Sequence, residues 1–310
     1  MTASQIDISI VAACLNEAEN VIPLAAALKD VLEAAQVSYE IIYIDNGSTD
    51  GTIDLVKGMC AKDPQIKLIV NNRNFGYMRS PAHAIYQASG RAVIGMCSDF
   101  QDPPVLIGDF IARWRSGAKI VLGVRQSEKS SLIIRLVRAI GYGYYNRFGD
   151  YSVIPGATGF GLYDRDVVEC LRLWRDPEPF FRGMLVESGY RLETIHYHRP
   201  PRAAGESKNR FASLVNFALT TVGSASKKML RAPLVICVFT FMLTGVMLLL
   251  SLIRGVFGLP YVGLLYLSAG SFAFSFIMLF LGLIGEQVRI ISDMVRNVPL
   301  VIERERVNFD

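Results

Sequence analysis

The stretch IIYIDNGSTDGT, residues 41–52, decides the fold. A short apolar run ends at Asp45, Asn46-Gly47-Ser48 turns the chain, and Asp50 suits the N-cap of a helix that reaches Cys60. The same strand-turn-helix pattern repeats on both sides. Upstream, Ile8 to Ala13 is expected as a buried strand, with Asn16 capping a helix through about Ala35, and Tyr39 to Ile44 forms the strand of the quoted stretch. Downstream, strands are expected at Ile66 to Val70, Ala92 to Cys97 and Ile120 to Val124, with helices at Phe75 to Ala88 and Val105 to Trp114 between them. Ser130 to Phe148 reads as a further helix carrying Arg135 and Arg138, and Gly156 to Tyr163 as a small-residue segment entering another strand. Alternation of this kind predicts an α/β fold with right-handed crossovers and a mostly parallel sheet.

In such a sheet ligands sit beyond the carboxyl ends of the strands. Asn16, Glu17, Asp45, Asp99 and Arg125 all fall there. Asp45 can accept hydrogen bonds from a base N–H or a ribose; Glu17 can do the same, or favour the first turn of its helix. Asp99 and Gln101 alternate in MCSDFQDPP, so an extended segment would turn both toward one ligand, and hard divalent cations take oxygen donors. Asp102-Pro103-Pro104 reads as a strand stop and helix start. Arg125, Arg135, Arg138, Arg202 and Lys208 are the candidate phosphate-binding cations, Arg as a bidentate fork and Lys as a point charge. His196 and His198 are read as structural.

Composition narrows the class. The net charge of +4 is too small to point to nucleic acid. The 5 cysteines have no CxxC spacing and the 3 histidines are scattered, so reduced thiols and no zinc site are expected. The N-terminus lacks the basic-apolar-cleavage pattern of a signal peptide. Residues 232–253 and 255–285 carry no charge, and a helix needs about 20 apolar residues to cross a bilayer core. The C-terminal part is therefore expected to be a transmembrane hairpin. Lys227, Lys228 and Arg231 precede it, Arg289 and Arg296 follow it, and only Arg254 lies between the spans, which puts both ends on the cytoplasmic side. Apolar residues at 211, 214, 215, 218, 219 and 222 form a helical stripe that suits the membrane interface, or packing on the soluble domain. Arg199, Arg202, Lys208, Arg210, Lys227, Lys228 and Arg231 form a basic collar, fitted to anionic headgroups or serving as topogenic charge.

In order along the chain, VAACLNEAENV, IDNGSTDGT, NRNFGYMRSPAHAIYQASG, CSDFQDPP, VLGVR, TGFGLYDRDVV and RAAGESKNRF resemble the motifs of family 2 glycosyltransferases, in the polyprenyl-phosphate branch of dolichol-phosphate mannosyltransferases and GtrB-like enzymes. The resemblance runs over almost the whole chain. It implies a GT-A fold at 1–210, an interface helix at 211–231, two membrane helices at 232–285 and a cytoplasmic tail at 286–310. It also implies a UDP- or GDP-sugar donor, a polyprenyl-phosphate acceptor, a divalent metal such as Mg²⁺ or Mn²⁺, contact with membrane lipids, a place in the cytoplasmic membrane and association of copies through the tail. By motif position Glu17, Asp45 and Asp99 would serve the nucleotide. Asp99 and Gln101 would hold the metal. Arg125, Arg138, Arg202 and Lys208 would bind phosphates, with Arg135 beside them. Asp99, Arg125 and Arg138 would act in the transfer.

Three positions depart from the family pattern. Cys97 stands where the first acid of Asp-x-Asp is usual, Asn46 where the second acid of the strand-end pair is usual, and Gly159 where some relatives carry a proposed base. Two rival readings are a processive polysaccharide synthase and a non-catalytic scaffold. The first needs more spans and a QxxRW motif, which the RLWRD around Trp174 does not supply; the second would accord with Cys97.

Overall fold

The computed structural model describes residues 6–126, 154–176, 179–198, 200, 232–295 and 299–309. The expected helix at 130–148 with Arg135 and Arg138, the loop with Arg202 and Lys208, and the stripe at 211–222 lie outside the described residues.

Eight strands form one sheet: β1 (Ile8–Cys14), β2 (Tyr39–Asp45), β3 (Ile66–Asn71), β4 (Ala92–Cys97), β5 (Ile120–Arg125), β6 (Ala157–Asp164), β7 (Leu192–Tyr197) and β8 (Glu303–Val307), in the order β7-β5-β6-β4-β1-β2-β3-β8. β1 pairs in parallel with β2 and β4, and β2 with β3. The order reverses at β1, so the crevice between the ends of β1 and β4 is the switch point where such sheets bind ligands. Every residue of β2 is buried. Successive side chains alternate between two cores: Ile41 and Tyr43 face one, Ile42 and Ile44 the other. The first core is covered by α1 (Val21–Ala34), α2 (Thr52–Cys60) and α4 (Leu106–Arg115), where Phe110 packs on Phe160 with ring centroids 4.9 Å apart. The second is covered by α3 (Gly76–Gln87), α5 (Arg165–Leu173) and α6 (Phe181–Glu187).

The small-residue segment is β6, and it enters antiparallel between β4 and β5. Its glycines allow that insertion, since a Cβ on Gly161 would stand 2.5 Å from the Val121 carbonyl oxygen. Residues 299–309, expected as tail, return to the sheet. β8 pairs antiparallel with β3, Arg79 Nη2 donates to the Pro299 carbonyl at 2.8 Å, and Lys57 Nζ meets Glu305 at 2.7 Å. A charged edge strand of this kind blocks further pairing.

A second unit holds α7 (Ala232–Val256) and α8 (Val262–Val295). Two helices there, Pro233–Val256 and Val262–Val288, are long and apolar enough to cross a membrane, with only 11% and 17% of their most apolar windows buried. Core helices of a soluble protein would be mostly covered. Hydroxyls line the seam between them: Ser275 Oγ donates to Thr240 Oγ1 at 2.7 Å and Ser271 Oγ to the Thr240 carbonyl at 3.2 Å. Gly282 lets the backbone meet Leu234, whose side chain would lie 2.5 Å from an added Cβ. Small residues and hydroxyl bonds of this kind join helices in lipid, where apolar burial gives no drive.

Candidate active site

The β1 and β2 ends are tied into one wall. Asn16 has φ 57°; its N–H donates to Ser48 Oγ at 2.8 Å, and its Oδ1 accepts from the Thr49 N–H at 2.8 Å. It therefore links two loops and does not cap α1, which begins only at Val21 after Asn20. Glu17 is half-buried. Its N–H donates to Thr52 Oγ1 at 3.0 Å, and its Oε2 accepts from Asn20 Nδ2 at 2.5 Å. Asp50 accepts the Thr52 N–H at 3.1 Å and the Ala18 N–H at 3.2 Å, so it serves the start of α2 and the neighbouring loop together. Burial raises the Asp50 pKa, but these hydrogen bonds outweigh it and hold the carboxyl below its ordinary value. Asp45 is fully buried at the strand end. Its Oδ1 accepts from the Gly47 and Ser48 N–H groups at 2.9 and 2.8 Å, and Cys14 Sγ lies 3.8 Å from Oδ2.

Asn46 explains its own departure from the acidic pattern. Its Nδ2 donates to Asn74 Oδ1 at 2.9 Å and to the Gly76 carbonyl at 3.3 Å, while its Oδ1 accepts from the Phe75 N–H at 2.9 Å and Asn71 Nδ2 at 3.2 Å. Only an amide both donates and accepts in this way. It pins the β3–α3 loop, which also approaches Gly47 so closely that a Cβ there would lie 3.2 Å from Arg73 and Asn74 backbone atoms. Asn46→Asp is expected to turn a carboxylate oxygen on two acceptors and lower stability by about 1–3 kcal/mol. A melting curve of the variant identical to that of the wild type would contradict this.

At the β4 end the chain turns instead of continuing extended. Phe100 has φ 60°, and the Gln101 N–H donates to Asp99 Oδ1 at 3.2 Å. Asp99 is buried, Gln101 half-buried and Cys97 exposed. The expected alternation of Asp99 and Gln101 along a strand is therefore replaced by a tight turn that still keeps both beside the β4 end. Asp102, read from the sequence as a strand stop and helix start, has a further role. It is 2% exposed, accepts the Cys97 N–H at 3.1 Å and the Tyr197 hydroxyl at 3.1 Å, and has Arg125 Nη2 4.0 Å away. Arg125 Nε also donates to the Tyr197 hydroxyl at 3.4 Å. Burial pushes the Asp102 pKa up, against the Cys97 N–H and the Arg125 charge. Asp102 and Tyr197 thus orient Arg125 at the end of β5; the signal in the sequence was only an acid before two prolines.

The structure brings Glu17, Asp45, Asp99, Gln101 and Arg125 to the carboxyl edge of one sheet, while Arg135, Arg138, Arg202 and Lys208 lie outside the described residues. Among the described residues no group of three His, Cys, Asp or Glu side chains could hold a metal by itself. Asp99 and Gln101, side by side at the β4 end, would offer one carboxylate and one amide oxygen. That set fits a hard cation only if ligand oxygens complete it.

The family model for glycosyl transferase family 2 matches residues 9–172. An uncharacterized glycosyltransferase of Synechocystis sp., sll0501, is 33% identical over 222 residues, covering 71% of this chain and 70% of the relative. The SfII prophage-derived bactoprenol glucosyl transferase of Shigella flexneri is 29% identical over 304 residues, covering 95% of this chain and 96% of the relative. A mycobacterial protein of known crystal structure shares the fold at a TM-score of 0.50 and 15% identity, over 71% of this chain and 73% of its own. The mixed sheet is of the GT-A type, and the chain belongs to glycosyl transferase family 2.

Proposed function

We propose that the protein transfers one sugar from a UDP- or GDP-sugar to a polyprenyl phosphate, with inversion, at the cytoplasmic face of a membrane. The observation that carries the reading is the extent of the likeness to the Shigella bactoprenol glucosyl transferase, which spans 95% of the chain and so takes in the two apolar helices as well as the sheet. Connectivity supports it. The chain leaves the sheet before α7 and rejoins it at β8, so two crossings return it to one side. The flanking basic residues favour the cytoplasmic side.

Glu17 and Asp45 would meet the nucleoside from the wall at the β1 and β2 ends. Asp99 and Gln101 would hold a divalent cation together with donor phosphate oxygens, and the cation would offset charge on the leaving diphosphate. An acceptor phosphate oxygen attacks the anomeric carbon as the bond to the diphosphate oxygen breaks, and no proton has to move. Arg125, held by Asp102 and Tyr197, would face the developing charge without reorganising. Arg138, Arg202 and Lys208, with Arg135 beside them, would complete the phosphate contacts.

Incubating the full-length protein in detergent with undecaprenyl phosphate and a panel of nucleotide sugars, followed by mass spectrometry of the lipid, tests this reading. One sugar added per lipid phosphate is expected. Transfer to a soluble acceptor with equal efficiency, in the absence of polyprenyl phosphate, would reject it.

A further inference from the structure

β6 opens at the carboxyl edge of the sheet with Ala157-Thr158-Gly159, and its first acid is Asp164 at the far end. Asp164 is engaged there, capping α5 and accepting from Trp114 Nε1 and Lys119 Nζ. Gly159 has φ 91°, and its carbonyl accepts from the Tyr163 hydroxyl at 2.5 Å. Among the described residues, only Arg182 Cγ, at 3.9 Å, lies within 4 Å of where a Cβ would stand.

Arg182 is half-buried in the first turn of α6. Its Nη1 donates to the Ala157 carbonyl at 3.1 Å, and its guanidinium carbon lies 5.5 Å from the centroid of the Phe180 ring. The Arg125 backbone N–H donates to the Gly156 carbonyl at 3.0 Å, so the end of β5 lies beside this segment, while the Arg125 side chain turns to Tyr197 and Asp102. Arg182, and Arg125 at the end of β5, thus border the mouth of β6, and β6 brings no carboxylate to that end. A guanidinium has five N–H donors in a fixed fork. The bond to Ala157 orients that fork and leaves donors for a ligand.

A site with cations and no base from β6 suits a nucleophile that is already charged. A phosphate monoester, with a second pKa near about 6, is such a nucleophile, whereas a neutral hydroxyl would need a general base. We propose that Arg182 binds the phosphate of the acceptor at the mouth of β6, in the room that Gly159 leaves by having no side chain. The proposal rests on the lipid-phosphate reading above.

Calorimetric titration of the full-length protein in detergent with geranyl phosphate, and with geraniol as control, tests it. Wild type is expected to bind the phosphate and not the alcohol. Arg182→Gln should weaken geranyl phosphate binding at least tenfold while changing affinity for UDP or GDP less than twofold. In turnover, KM for undecaprenyl phosphate should rise with kcat nearly unchanged. Should melting curves show that the glutamine variant is unfolded, Arg182→Lys serves instead, since it keeps the charge and loses the fork; a threefold or greater loss is then expected. Unchanged geranyl phosphate affinity in the folded variant, or nucleotide affinity falling in step with it, would overturn the role of Arg182 and leave the lipid-phosphate reading standing. Wild type that neither binds geranyl phosphate nor modifies undecaprenyl phosphate would overturn both.

Discussion

Glu40→Ala is expected to lower the melting temperature of the full-length protein in detergent by about 10 °C, because it removes the anion from a buried polar cluster and leaves every partner in place. Glu40 is 1% exposed, near the start of β2 and at the end of the sheet away from its carboxyl edge. It accepts from Ser9 Oγ at 2.5 Å and from the N–H and Oγ of Ser89, both at 2.7 Å, and Lys67 Nζ lies 2.8 Å away. Gly90 closes the cluster, since a Cβ there would lie 2.6 Å from the Ser9 nitrogen. Breaking a buried charge pair from one side costs about 3–5 kcal/mol. At roughly 2–4 °C per kcal/mol for a unit of this size, the shift follows.

The same cluster sets a pH dependence. Burial raises the Glu40 pKa, but the bonds from Lys67, Ser9 and Ser89 outweigh it, so the folded value lies below the ordinary one. A carboxyl depressed in this way adds stability above its unfolded pKa, near about 4.3, and that stability is lost as pH falls through the folded value. The difference in melting temperature between wild type and Glu40→Gln should therefore be widest near neutral pH and narrow below about pH 4. A Glu40→Ala protein that melts like wild type at pH 7 would show that the cluster does not hold the sheet.

What the sequence showed and hid follows from range. Strands β1 to β5 were legible because each is a continuous apolar run closed by turn residues, and their ends mark the carboxyl edge of the sheet. The apolar hairpin was legible from charge alone. β8 was not, because ERERV has no apolar face and becomes a strand only by pairing with β3; the ion pair from Lys57 to Glu305 joins residues 248 apart. Asp102 was hidden for a similar reason, since its partner Tyr197 is 95 residues away. Asn16 and the segment after Cys97 misled by local pattern. An asparagine after a strand suggests a helix cap, and alternating polar residues suggest a strand, yet positive φ at Asn16 and Phe100 turns the chain at both places.

Asp99→Asn is expected to lower turnover by at least about 100-fold, since even the outer-shell partners of a metal ligand are worth 10–100-fold. Its neighbour Asp102 cannot take over, being held by Tyr197, the Cys97 N–H and Arg125. Near wild-type turnover in a folded Asp99→Asn protein, with metal present, would reject the assignment. The companion residue is Cys97. A thiol is a poor ligand for Mg²⁺, so under the proposed assignment Asp99 would offer one charged oxygen and Gln101 a neutral one. Metal should accordingly bind weakly to the protein alone and well once a nucleotide diphosphate adds its own oxygens. Because Cys97 is exposed and not packed in the core, a carboxylate placed there would stay solvated and would not destabilise the unit as a buried charge would. Cys97→Asp is therefore expected to raise Mg²⁺ affinity in the absence of nucleotide without lowering the melting temperature. Calorimetric titration of Mg²⁺ into wild type and Cys97→Asp, with and without UDP or GDP, separates the cases. Tight binding of Mg²⁺ by wild type without nucleotide would mean that the protein already holds a full set of oxygens, and that the ligand-completed site is wrong.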